Sequence, residues 1–262
     1  MSSAVASEAT PNARVALVTG GAKGIGAEAC RRLAAAGFGV VVADLDLPEA
    51  ESTAAAIVAA GGRAQAIPLD VGDPAGVQSA FAELDAREGR CDVLVNCAGI
   101  AKVFPFVDFP LENFVDTMRV NVTGTFLCSQ HAARLMIRHR WGRIVNIASV
   151  AGMRAVGTGR TAYGTSKGAV IALTRQMAVE LAEHGVTVNA ICPGPVDTPM
   201  TRVLHTEKFR QEYRKAIPMD RYGTTGEMAA AVMYLVSDDA GYLTGVELPV
   251  DGGFLASGAR GI

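Results

Sequence analysis

The chain has 262 residues, half of them hydrophobic and 19% charged, with a formal net charge of -2. That length holds one large α/β domain or two small ones, and the apolar share is enough for a substantial core. So small a charge supplies no basic field for nucleic acid, and no apolar run reaches membrane-spanning length without Gly or charge.

Residues 1 to 13 are small and polar, with neither a charged start nor an apolar run, and are expected to form a disordered leader rather than a secretory signal. Apolar, β-branched runs then alternate with helix-like stretches, the pattern of a parallel sheet covered on both faces. The predicted strands are Arg14 to Thr19, Val40 to Ala43, Ala64 to Leu69, Asp92 to Val95, Arg143 to Ala148, Val186 to Ile191 and Val246 to Val250. Between the first two, Ile25, Ala29, Leu33 and Ala36 recur at helical spacing, and Gly37 ends that helix where a left-handed residue is wanted. No period of 20 to 50 residues repeats and no linker divides the chain, so residues 14 to 262 are read as one domain. Only 195–226 breaks the rhythm. It is charged, holds Pro195, Pro199 and Pro218, and is expected to be a mobile insertion over a site.

Cys30, Cys91, Cys97, Cys128 and Cys192 are odd in number and form no Cys-x-x-Cys pair, so reduced thiols are expected. His131, His139, His184 and His205 lack ligand spacing, and no protein-held metal is expected. Both features suit a cytoplasmic enzyme. The one basic cluster, Arg138-His139-Arg140 with Arg143, reads as a helix end.

Two motifs carry chemistry. After the first strand, Gly20, Gly24 and Gly26 in Thr19-Gly20-Gly21-Ala22-Lys23-Gly24-Ile25-Gly26 let the chain turn sharply into a helix while leaving backbone N–H groups open to a phosphate. The second strand ends at Asp44, where a dinucleotide site places an acid on the adenosine ribose, and a carboxylate there repels a 2′-phosphate. NAD is therefore expected over NADP, although Lys23 offers a cation to an extra phosphate. Farther on, Tyr163-Gly164-Thr165-Ser166-Lys167 places a phenol and an ammonium one helical turn apart. The ammonium favours the phenolate, which suits a tyrosine to exchanging an alcohol proton near neutral pH.

These motifs occur in an order that resembles the short-chain dehydrogenase/reductase family, compact single-domain branch, from about Arg14 to Gly253. The resemblance implies a three-layer, doubly wound Rossmann fold with a seven-stranded parallel sheet. Thr19-Gly20-x-x-x-Gly24-x-Gly26, with Lys23 and Ile25 inside it, resembles the family's cofactor loop. Asp70-Val71 matches the pair that flanks the adenine. Asn96-Cys97-Ala98-Gly99 resembles the family's Asn-Asn-Ala-Gly segment, from which Cys97 departs. Pro193-Gly194-x-x-x-Thr198, with Val196 inside it, resembles the segment that meets the nicotinamide amide. Asn121, Ser149, Tyr163 and Lys167 match the catalytic tetrad.

By that resemblance Tyr163 is the acid and base, and Ser149 hydrogen-bonds the substrate oxygen. Lys167 supports Tyr163 and meets the nicotinamide ribose, while Asn121 holds a relay water. Ser149 and Tyr163 would touch substrate together with Arg154 and Val156, which belong to the variable segment Val150 to Arg160. The implied activity is hydride transfer between NAD(H) and a secondary alcohol or ketone, such as a polyol or sugar. A 3-oxoacyl thioester reductase is the alternative, with Arg119, Arg138 and Arg143 as carrier contacts unless they form a solvated helix face. A binding module that had lost catalysis would lack a tetrad member, and none is missing. Relatives are usually homotetramers, and Val122, Phe126, Leu127 and Leu135 exceed what one helix face needs, as they would in an assembly surface or in a buried helix.

Overall fold

The structure is a computed structural model that describes residues 13–257. The leader expected at 1–13 therefore lies, apart from Ala13, outside the described residues. Seven strands make one sheet: β1 (Val15–Thr19), β2 (Gly39–Asp44), β3 (Arg63–Pro68), β4 (Val93–Asn96), β5 (Gly142–Ile147), β6 (Val186–Pro193) and β7 (Glu247–Val250). Their order is β3-β2-β1-β4-β5-β6-β7, and every neighbouring pair is parallel. The predicted strands differ from these by at most two residues at either end.

Alternation of side chains across the pleat explains the two-faced core. On β1, Ala16 and Val18 face one side while Val15 and Leu17 face the other. Helices α1 (Gly24–Ala35), α2 (Leu47–Ala59) and α9 (Thr225–Val236) cover the first face with Ala29, Leu33, Ile57 and Val232. The second face packs against α3 (Pro74–Glu88), α5 (Gly124–His139) and α6 (Thr161–Leu181) through Phe81, Leu135, Met136 and Ala178. Helix α4 (Leu111–Met118) runs into α5 through one π turn, Arg119–Thr123.

Helix α1 stops at Ala35, one residue before the apolar stripe does. Gly37 (φ 89°) reverses the chain there, and its N–H and that of Phe38 satisfy Ala34 and Leu33 carbonyls. Residues 195–226 carry two helices, α7 (Pro199–Leu204) and α8 (Glu207–Lys215), tied down by a parallel bridge between Val196 and Gly223. Two expectations need correction. Leu135 is buried in the core and Leu127 packs against it, so of the four residues read as surplus apolar surface only Phe126 is exposed. Arg143 lies on a strand, buried against the Trp141 ring, and is no part of a solvated helix face. Among the described residues no helix is long and apolar enough to cross a membrane.

Candidate active site

Every strand points the same way, so the loops after β1, β2, β4, β5 and β6 leave the sheet at one edge. The chain winds outward to β3 and then returns to place β4 beside β1. A cleft of about 550 Å³ opens at that edge, as expected where strand order reverses.

The glycine loop forms one wall. Gly20 (φ 64°) and Gly24 (φ 59°) line the cleft with Lys23 and Ile25, whereas Gly26 lies beneath the loop, its α-carbon pressed on the Gly20 carbonyl. No side chain caps the start of α1, so its first N–H groups stay open toward the cleft. At the end of β2, Asp44 is held by two backbone N–H groups, Ala22 to Oδ2 and Asp46 to Oδ1, each at 3.0 Å. Lys23 is drawn to Asp46 at 2.8 Å, with Glu49 at 3.9 Å. The hydrogen bond to Asp46, then the nearby acids, raise the Lys23 pKa, and the hydrogen bond from Lys23 holds the Asp46 carboxyl below its usual range.

Asp70 and Val71 line the cleft beside Asp44, just past Leu69, whose N–H donates to the Asp44 carbonyl at 2.9 Å. Asp70 accepts from Gly72 N–H (2.8 Å) and from the Arg119 guanidinium, which also binds Asp116. Arg119, named from the sequence only as a carrier contact, and Asp116, which sequence reasoning missed although their i, i+3 spacing signals the pair, line the cleft too. Arg119 and Arg138 are engaged by carboxylates, Asp85 in the second case, and Arg143 is buried. None of the three is a free carrier contact.

Ala98 and Gly99 line the floor together with Cys97, whose thiol burial pushes up to about 11. Asn96 does not reach the cleft; its buried amide donates to Ser129 Oγ (2.9 Å) and Asn146 Oδ1 (2.8 Å), tying β4 to α5 and β5. Ser149, Tyr163 and Lys167 meet in the cleft. Ser149 caps the 3₁₀ turn Val150–Gly152, its Oγ accepting from Ala151 N–H at 3.1 Å. Lys167 is buried, with Nζ 2.7 Å from the Ile147 carbonyl and 5.7 Å from the centre of the Tyr163 ring.

Asn121 stands behind them in the π turn, fully buried and outside the cleft lining. Its side chain accepts from Ile100 N–H (2.8 Å) and donates to Ile100 O (3.0 Å) and Ser166 Oγ (2.9 Å), so any relay water must use its backbone carbonyl, which already accepts from Thr125. Pro193, Gly194, Val196 and Thr198 complete the wall, joined by Pro199, Met200 and Thr201 from the start of α7. Neither Arg154 nor Val156 lines this cleft. Arg154 stacks 5.2 Å over Phe254, and Val156 packs on Val150, Ile217 and Tyr222.

An open glycine cradle at a helix N-terminus, a carboxylate at the tip of β2 and a roomy cleft fit a dinucleotide. A buried ammonium beside a phenol and a hydroxyl completes the equipment for exchanging a proton with an alcohol. A family model described as enoyl-(acyl carrier protein) reductase matches residues 20–255. The chain is 42% identical over 245 residues to short-chain reductase protein NovJ of Streptomyces niveus, covering 91% of this chain and 93% of that protein. It is 38% identical to the 3-oxoacyl-[acyl-carrier-protein] reductase FabG of Aquifex aeolicus (strain VF5), covering 92% and 96%. Among solved structures, a gluconate 5-dehydrogenase from Burkholderia cenocepacia J2315 in complex with NADP and tartrate superposes with a TM-score of 0.89 at 34% identity, covering 94% of this chain and 96% of that one. The chain belongs to the short-chain dehydrogenase/reductase family. It is an oxidoreductase acting on CH–OH groups of a small molecule with a nicotinamide cofactor.

Proposed function

We propose that the protein interconverts a secondary alcohol, of the polyol or sugar type, and its ketone with NAD(H). The main support is that Ser149, Tyr163 and Lys167, distant from the glycine loop in sequence, share one cleft with it. The chemistry supplied by bound nicotinamide is hydride exchange with the carbinol carbon. Tyr163 Oη takes the alcohol proton in oxidation and returns it in reduction. The Ser149 hydroxyl donates to the substrate oxygen as negative charge develops there. Lys167 holds positive charge beside the phenol. Asn121 is a positioning residue, since its amide joins the Ile100 backbone to Ser166, the residue before Lys167.

NAD is favoured over NADP because Asp44, lining the cleft at the tip of β2, suits hydrogen bonds to the adenosine ribose and repels a 2′-phosphate, while Lys23 is engaged by Asp46. The structural neighbour bound to NADP weighs the other way, so cofactor kinetics decide. The parent enzyme should use NADH at least tenfold better than NADPH by kcat/KM, and Asp44→Ser should narrow that gap at least tenfold. Equal use by the parent overturns the preference. Tyr163→Phe should lower turnover by roughly 10²- to 10⁴-fold while NADH affinity stays within about threefold; turnover near the parent rate overturns the assignment.

Similarity to FabG favours a second reading, reduction of a 3-oxoacyl thioester. Acetoacetyl thioester turned over faster than every polyol or ketone would establish it. The five free cysteines suit a reducing, cytoplasmic setting, and the assembly proposed is a homotetramer.

A further inference from the structure

Beyond Tyr163, where 195–226 folds over the cleft, cations outnumber the carboxylates available to them. Arg160 stands three residues before Tyr163, at the entrance to α6. Its guanidinium donates to His205 Nε2 at 2.8 Å and lies 5.6 Å over the Phe209 ring. A guanidinium only donates, so Nε2 accepts and Nδ1–H donates to Tyr222 Oη at 3.0 Å. Arg154 follows the turn that Ser149 caps, and its guanidinium lies 5.2 Å over the Phe254 ring. Neither Arg154 nor Arg160 has a carboxylate partner among the described residues.

A third cation adds to them. Arg210 of α8 lies 4.4 Å over Tyr222 and shares Asp197 with Arg202, and its Nη1 is buried without a hydrogen-bond partner. Of the nearby acids, Asp197 is held by those two arginines, Asp251 accepts from the N–H groups of Gly253 and Leu255, and Glu207, which faces Tyr222, accepts from Gln211. The imidazole responds to this field. Burial first, then Arg160 and Arg210, push His205 down to about 4. Burial pushes the Tyr213 hydroxyl on α8 up, with Arg160 and Arg154 acting against it. Aromatic faces hold guanidinium groups in place but leave their charge uncompensated.

We infer that the substrate carries its own carboxylate, a few carbons from the reacting carbinol, seated against Arg160 and Arg154: a hydroxy acid on one side of the reaction and the keto acid on the other. This rests on the proposed function, because Tyr163 marks the reacting carbon. The planar fork of a guanidinium matches two carboxylate oxygens. A phosphate would satisfy the same donors. The carboxylate is preferred because Val156, Tyr213 and Phe254 flank the seat with apolar surface, which favours the less strongly hydrated monoanion.

The test measures initial rates with NAD for gluconate and tartrate against sorbitol and erythritol, with glycerol 3-phosphate against glycerol as the phosphate arm. Enzymes compared are the parent, Arg160→Gln, Arg154→Gln and the two Lys variants. Binding is followed in parallel as the thermal shift produced by gluconate in the presence of NADH. The parent should favour acids over neutral alcohols at least tenfold. Each Gln variant should lower kcat/KM for acids by roughly tenfold to a hundredfold, mainly through KM, and change the neutral alcohols less than threefold. The Lys variants should recover part of the loss, and the gluconate shift should vanish in the Gln variants.

Arg154→Gln keeps the test valid if loss of Arg160 disturbs the fold around His205. The inference is overturned by preference for neutral alcohols, by equal losses on acids and alcohols, by preference for the phosphate, or by no gluconate shift in the parent. A gluconate shift with the expected arginine dependence, but no oxidation of any alcohol, would instead overturn the proposed function and leave the anion seat standing.

Discussion

Gly26 has no room for a side chain: a Cβ would lie 2.1 Å from the Gly20 carbonyl oxygen. Gly20 is bound twice, by a φ of 64° and by Ala98 backbone atoms 2.8 Å from where its Cβ would be. The loop is therefore clamped between α1 and the segment after β4, and its open amides depend on that clamp. Gly26→Ala should weaken NADH binding at least tenfold by fluorescence titration and cost about 1–3 kcal/mol in denaturant unfolding. Unchanged affinity would show that the loop adjusts. Asn96 and Asn121 teach the complementary lesson, because both lie one layer behind the cleft and hold other residues in place. A motif names the residues near a site without saying which of them face it.

At the scale of elements, the π turn is what brings Asn121 to Ser166 and Ile100 between α4 and α5. The two short helices of 195–226 are fastened from both ends. Thr198 opens α7 with a capping box, and His205 at its end joins Arg160 to Tyr222. His205 is held neutral, with its pKa down to about 4 against about 6.5 when unfolded. Below about pH 6.5 the unfolded chain binds a proton that the native state refuses. Stability should therefore be full above pH 6.5 and fall as pH drops from 6.5 toward 4. Urea midpoints across that range check this, and His205→Gln should flatten the slope; His131, lowered by burial, contributes in the same direction and would remain. Helix α9 offers a simpler case. Thr224 and Glu227 cap it reciprocally and Arg221 holds the Glu227 carboxyl down at about 2. Thr224→Ala should cost about 1 kcal/mol, read as a lower urea midpoint at pH 7.

At the scale of the whole molecule, apolar side chains remain uncovered on the surface beside the second face of the sheet. Leu111 (73% exposed), Val115 (55%) and Phe126 (42%) lie along α4 and α5. Isolated apolar residues are ordinary, but a row along one helix pair suits a partner surface. Under the proposed tetramer, sedimentation at micromolar concentration should give a fourfold mass, and Leu111→Glu with Phe126→Glu should reduce it. A parent monomer would refute the assembly.

Much of this molecule could be read from the chain itself. Strand positions, the parallel class, the glycine turn and the Tyr163/Lys167 pair follow from local rules, because burial on two faces, helix periodicity and glycine geometry act over a few residues. Three things arose only on folding. Asn96 turned inward because β4 sits between β1 and β5. Arg119 became a clamp on Asp70 because the π turn carries it across the mouth of the cleft. Arg160 and Arg210 came together at the His205–Tyr222 pair, with Arg154 over Phe254, and a sequence counts charges without saying which carboxylates stand close enough to neutralise them. Local conformation is encoded in neighbours along the chain, whereas uncompensated charge depends on which distant segments pack together, and that was decided in three dimensions.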